Sequence, residues 1–212
     1  MTKRQLALIK VMVFCACLGP LVWATIRAFG IASTSLGANP VEELLHSMGK
    51  TGLNMLLITL AVTPVRQLTG FNTLIRLRRM LGQFSFFYVV LHFFVYALLD
   101  LRLAWNTLAV DITQRPYITV GMLALVALIP LSITSTNAMQ RRLGRKWKRL
   151  HQLIYPIAVL GAVHLYWQSK GELSAALTYA FAVAVLLGYR LVHAAELRSR
   201  RNTRRPELSP SR

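Results

Sequence analysis

Acidic side chains are scarce in this sequence: seven Asp and Glu in 212 residues, against 25 Lys and Arg. No carboxylate pair sits inside an apolar run and no intramembrane acid is expected, which argues against a transporter with an Asp/Glu proton relay. Cysteine is nearly absent. Cys15 and Cys17 are the only two, both in one apolar run, and residues two apart on a helix do not face each other. A structural disulfide, a CxxC redox pair and a CxxCH haem attachment are therefore excluded, and any haem here is held without a covalent thioether link. GxGxxG, Walker, HExxH and GxSxG motifs are all missing, so no nucleotide-binding domain or common hydrolase site is indicated. Charge as a whole is sparse, 15% of residues against about 25% in ordinary soluble domains.

What fills the chain instead is apolar: 55% of it, with a formal net charge of +18. Six apolar stretches stand out, at Leu6–Ile26, Pro40–Val65, Met80–Leu99, Tyr117–Thr134, Leu150–Trp167 and Leu173–Val192. All but the second are 18 to 21 residues, close to the ~20 needed for a helix to cross ~30 Å of hydrocarbon. Lipid offers the backbone no hydrogen bonds, so these runs predict helices. The first run is longer than a secretory h-region, contains Lys10 and lacks a clear A-x-A cleavage site, and is expected to be a retained helix. The second opens on Asn39-Pro40-Val41-Glu42, an N-cap followed by proline at the first helical position. It carries His46, Lys50 and Asn54 at i, i+4 and i+8, one polar stripe, because its fully apolar part (Leu53 to Val62) is too short to span alone.

Cations set the orientation. Twenty Lys and Arg fall in the N-terminus, the second and fourth connections and the stretch from Arg190 to the end, against Glu196 and Glu207. The opposite side carries Arg27, Lys50, Arg102, Arg115 and Lys170 against five acids, a net of zero. The excess of +18 is thus a topology signal and an inner-leaflet anchor, with no nucleic acid required. The expected fold class is all-α: a polytopic six-helix transmembrane bundle in the lipid bilayer, both termini cytoplasmic. Met139, Leu143, Trp147, Leu150 and Ile154 follow helical spacing among basic residues and predict an amphipathic surface helix feeding the fifth span. It serves either as a lipid anchor or as a docking surface for an anionic cofactor or partner. One membrane domain is expected over residues 1–197, with a basic, disordered cytoplasmic tail over 198–212. No internal repeat of useful strength is visible.

Histidine depth points to chemistry. His92 lies 13 residues after Arg79 and His164 lies 15 after Arg149, both on outward-running helices, which places both about 20 Å from the inner edge. Two imidazoles at matched depth on two helices are what bis-histidine ligation of one haem within a bundle requires. His151 belongs to the inner end of the helix that carries His164, about 20 Å away along the axis, and cannot share its iron. It would serve an inner haem or the point where electrons arrive. The matching position on the third span falls near Arg78 or Arg79, and His193 is the one other histidine at that depth. His46 and Lys50 at the outer end face a haem propionate, a quinone head, a periplasmic partner or only interfacial water.

Several stretches carry a resemblance: GANPVEELLHSMGKTG (37–52), RLRRMLG (76–82), LHFFVYALLDL (91–101), ITQRPYITVG (112–121) and ITSTNAMQRRLGRKWKRLHQLIYPIAVLGAVHLYW (133–167). In order, they resemble the haem-binding membrane subunits of the bacterial periplasmic methionine sulfoxide reductase systems (the MsrQ/YedZ type), within the ferric-reductase-like transmembrane superfamily. The resemblance implies that His92, His151 and His164 are the metal- and cofactor-binding residues for haem b. It also implies FMN, and the quinone pool or a flavin reductase as electron donor. The implied partner is a periplasmic, molybdopterin-containing catalytic subunit in a heterodimer, which returns methionine sulfoxide to methionine while this chain does no substrate chemistry. Two other readings remain: a cytochrome b anchor for another periplasmic oxidoreductase, and a non-redox transport or assembly subunit whose histidines only stabilise packing.

Overall fold

The computed structural model describes residues 2–31, 35–169 and 173–203. These are all-helical, with no strand among the described residues. The helices are α1 (Lys3–Ala28), α2 (Pro40–Thr69), α3 (Arg78–Phe94), α4 (Trp105–Gln114), α5 (Pro116–Ile133), α6 (Asn137–Leu143), α7 (Arg145–His151), α8 (Ile154–Gln168) and α9 (Leu173–Thr203). Asn39 caps α2 as its sequence predicts, with Oδ1 accepting from the Glu42 N–H at 3.3 Å and Pro40 in the first turn. A π-helical turn, Val95–Asp100, extends α3 outward.

Five helices are long and apolar enough to cross a membrane: α1, α2, α3 with its π turn, α5 and α9. This is a multi-pass membrane protein. The expected fifth span is shorter than its sequence suggests, because α8 has 15 residues and rises about 22 Å. The cause is Pro156. It has no N–H to give the Gln152 carbonyl, which accepts instead from Tyr155 N–H at 3.1 Å, so the chain turns at 152–153 and separates α7 from α8. His151 therefore ends α7 and is not on the helix that carries His164. The single amphipathic helix expected over residues 139–154 is likewise broken. Gly144, at φ +50°, ends α6 and starts α7 anew.

Two helix pairs dominate the packing, α2 against α3 and α5 against α8, with α9 laid along α8. One core joins Leu53, Leu56 and Leu60 of α2 to Leu128 of α5, Ile157 and Ala158 of α8 and Val183 of α9. A second holds Cys17 and Ala24 of α1 against Met48 of α2 and Phe84 and Tyr88 of α3. Both cysteines are free: Cys17 is buried there, and Cys15 is exposed. Most of the α1 surface faces outward, including Leu8, Val11, Met12, Val22 and Trp23. Lipid covers such a surface at no cost, whereas water would not.

The proline break in α2 is closed by a side chain from another helix. Leu60 O, which Pro64 leaves without its i+4 donor, accepts from Arg190 Nη2 at 2.6 Å. Arg190 also lies over the Tyr155 ring, 5.4 Å from its centroid. It is half-buried within α9 and so is not part of the solvated basic tail to which its charge was assigned. That helix runs on through Arg198 to Thr203, since Ala194, Ala195, Glu196, Leu197 and Arg198 are strong helix formers. Residues 204–212 of the expected tail, like Lys170 and Glu172, lie outside the described residues.

Next to Pro20 of α1, the buried Tyr88 hydroxyl donates to Cys17 O at 2.6 Å and accepts from Leu21 N–H at 3.2 Å. A tyrosine oxygen is thus inserted where a helical i→i−4 bond would run. Tyr88→Phe removes it and is expected to lower stability by about 1–3 kcal/mol, the cost of stranding buried polar groups. Thermal unfolding in detergent, compared with wild type, measures this.

Candidate cofactor site

His92 on α3 and His164 on α8 meet in one cavity, their ring centroids 6.0 Å apart and their planes at 81°. The structure thus brings together the two histidines that the depth argument paired. Each ring is held in the same way. His92 Nδ1 donates to Leu45 O at 2.9 Å, and His164 Nδ1 donates to Tyr117 O at 2.6 Å. A carbonyl can only accept, so both rings carry their proton on Nδ1 and present Nε2 as a lone pair. Neither Nε2 has a hydrogen-bond partner within the described residues.

Glycine lets the rings sit there. A Cβ on Gly49 would lie 2.9 Å from His92 Nδ1, and one on Gly121 would lie 2.9 Å from His164 Nδ1 and Cε1. Each glycine stands one helical turn after the carbonyl that accepts from the same imidazole. The two arrangements correspond at a displacement of 72 residues: Leu45 with Tyr117, Gly49 with Gly121, His92 with His164. Buried Leu53 and Leu56 correspond in the same way to Leu125 and Leu128. The α2–α3 and α5–α8 pairs therefore hold their histidines in the same way, a correspondence that the sequence reading missed.

The residues fit a metal-centred planar group. Two imidazoles binding one ion from opposite sides, through bonds of about 2 Å, have centroids about 6 Å apart. The cavity wall is apolar along its length, with Leu53, Leu56, Val89, Leu125, Leu128 and Ile157, as an extended hydrophobic ring requires. Polar groups collect at one end, the one expected to face outward: His46, Lys50, Asp100, Arg115, Tyr117 and Gln168. His46 and Lys50 thus line the cavity as their shared stripe suggested, whereas Asn54 of that stripe is exposed. His46 Nε2 accepts from the Gln168 amide at 2.5 Å.

His151 stands apart from this pair. Its ring stacks on Trp147 at 4.0 Å, its Nδ1 bonds Trp147 O at 3.2 Å, and its Nε2 is buried without a partner. The corresponding position in the first unit is Arg79, which is exposed and donates to Asn137 Oδ1 at 2.6 Å. His193 bonds the Gln67 amide at 3.0 Å and stacks on Tyr189. No group of three or more metal-ligating side chains occurs among the described residues.

Sequence reasoning missed the outer rim. Asp111 is 5% exposed and accepts from Tyr96 Oη at 2.5 Å, while Arg115 Nε lies 3.0 Å from its other oxygen. Arg115 Nη1 is 3.4 Å from Tyr117 Oη. The i, i+4 spacing of Asp111 and Arg115 was the available signal.

Most of the cavity lining falls in a recognisable stretch. Residues 48–162 match the ferric-reductase-like transmembrane component. The chain belongs to the ferric-reductase-like transmembrane family. His92 and His151 fall within the matched ferric-reductase-like residues, and His46 and His164 flank them. A protein-methionine-sulfoxide reductase heme-binding subunit MsrQ from Xanthomonas axonopodis pv. citri (strain 306) is 44% identical, over 99% of this chain and 96% of that protein. One of the same name from Rhodospirillum rubrum is 48% identical over 93% of each. Another, from Xanthomonas oryzae pv. oryzae (strain MAFF 311018), is 46% identical over 89% of this chain and 88% of its own.

Gly49→Ala and Gly121→Ala each place a methyl group against an imidazole and are expected to lower stability by about 1–3 kcal/mol. Gly19→Ala, which meets nothing within 4 Å, costs no such overlap. Thermal unfolding in detergent checks both.

Proposed function

We propose that this chain is a b-type haem subunit that relays electrons across a bacterial inner membrane to a soluble periplasmic methionine sulfoxide reductase. The observation that carries the reading is the His92–His164 pair, two Nδ1-anchored imidazoles 6.0 Å apart in an apolar cavity. Relatives over nearly the whole chain bear the name of the heme-binding subunit of that reductase system, which supports the same partner. Haem bound between the two rings supplies one-electron chemistry. The chain's own residues bind and orient it: His92 and His164 through Nε2, Leu45 and Tyr117 by fixing the tautomer, Gly49 and Gly121 by giving the rings room.

The topology that suits this role has six spans, with α8 as the fifth, and both termini cytoplasmic. Its support is the distribution of Lys and Arg. The membrane domain takes in residues 1–197, followed by the basic tail. His151 serves the inner side, as ligand to a second haem or at the place where electrons arrive; its buried, unpartnered Nε2 supports a ligand role. The donor is the quinone pool or a flavin reductase. For the phosphate of an FMN, the matching charge lies in Arg141, Arg142, Arg145, Lys146, Lys148 and Arg149. The partner carries molybdopterin and does the chemistry on methionine sulfoxide.

The purified protein is expected to show a low-spin b-type spectrum, lost in His92→Ala and in His164→Ala. Unchanged haem content and spectrum in both variants overturns the assignment. Co-isolation from native membranes of a molybdenum protein active on methionine sulfoxide identifies the partner. Co-isolation of a different periplasmic oxidoreductase instead would make the chain that enzyme's anchor.

A further inference from the structure

Helix α4 is unusual in what it buries. Of its ten residues, Asp111 alone is buried, while Trp105 and Val110 of the same helix are exposed. A helix packed by apolar contact does the reverse. Here the helix is attached through a carboxylate.

Both oxygens of that carboxylate are used, and each reaches one of the two histidine-bearing units. Oδ2 accepts from Tyr96, which stands four residues beyond His92 in the π turn that extends its helix. Oδ1 pairs with Arg115, two residues before Tyr117, whose carbonyl receives His164 Nδ1–H. Arg115 also reaches the Tyr117 hydroxyl. Thr119 Oγ1 donates to Ile112 O at 2.5 Å and further binds the end of α4 to the start of α5. Across this outer end, the path from the His92 helix to the acceptor of His164 passes through one side chain.

We infer that Asp111 is a positioning residue that clasps the two units at the outer rim and so sets the separation and mutual rotation of the His92 and His164 rings. The inference rests on the haem reading above. Carboxylate geometry suits the clasp, since its two oxygens take the Tyr96 phenol and the Arg115 guanidinium separately. Asparagine keeps the size, loses one acceptor and loses the charge that holds Arg115. Phenylalanine at position 96 removes the other half of the same clasp.

The test uses full-length protein purified with its haem. Wild type must first show the His92- and His164-dependent low-spin spectrum; if it does not, the haem reading fails before Asp111 is in question. Low-temperature EPR of the oxidised protein then reports the relative rotation of the axial rings. Asp111→Asn and Tyr96→Phe are each expected to shift or broaden those g-values and to raise the haem dissociation rate about tenfold, the loss of one hydrogen bond to a charged group. The double variant is expected to match either single one, because cutting either half of the clasp opens the same link between α3 and α5. Arg190→Leu, which weakens α2–α9 packing at the inner end, is expected to lower thermal stability while leaving the g-values in place. Wild-type g-values in both Asp111→Asn and Tyr96→Phe, or additive effects in the double variant, overturn the proposal. An equal shift in Arg190→Leu also overturns it, by showing that loss of stability alone moves the rings.

Discussion

Everything at the centre of this bundle depends on two imidazole N–H groups that have no water to turn to. In an apolar interior an unpaired donor costs several kcal/mol, so each ring must find an acceptor in a neighbouring helix. Helix carbonyls are already engaged along their own axis and offer only a second lone pair at close range. The ring can come that close only where the neighbouring helix has no side chain. Glycine one turn further along, at 49 and at 121, meets that demand and draws α3 onto α2 and α8 onto α5. The hydrogen bond thereby orients the ring, chooses its tautomer and sets the helix spacing.

Around that centre, polar side chains repair the backbone rather than add separate contacts. Arg190 fills the acceptor left open by Pro64, and Tyr88 bridges the α1 ladder beside Pro20. At the inner end, the Gln83 amide donates to Ser132 O at 3.0 Å and Ser132 Oγ donates back to Gln83 Oε1 at 2.6 Å. Trp147 Nε1 donates to Thr134 O at the end of α5. At the opposite end the Gln168 amide of α8 donates to His46 Nε2 of α2 at 2.5 Å. The two histidine units are thus tied at both ends and left apolar between.

Much of this was legible in the sequence because membranes simplify the code. Run length against hydrocarbon thickness located five helices long and apolar enough to span, and charge placement with helical rise put His92 and His164 at one depth. What stayed hidden depends on side-chain detail that no period reports. The 72-residue correspondence preserves a glycine, a histidine and a few leucines while its other positions differ, so pattern matching passes over it. Asp111 lies in a stretch that reads as a polar connection, and only the fold reveals that its carboxylate faces inward. Arg190 was counted with the tail because charge near a run's end normally marks the water boundary. The breaks at Gly144 and Pro156 were each visible as residues, yet their effect, separating His151 from the His164 helix, needed the backbone.

The attachment of α1 carries a consequence for how the protein is made. Its bond to the rest of the bundle joins Cys17 to a tyrosine 71 residues later in the chain, while most of its own surface faces lipid. Arg27 ties α1 to Glu43 of α2 as soon as those two helices are present, but the Tyr88 bridge forms only once α3 has folded against α2. The seating of α1 is therefore completed by the α2–α3 hairpin.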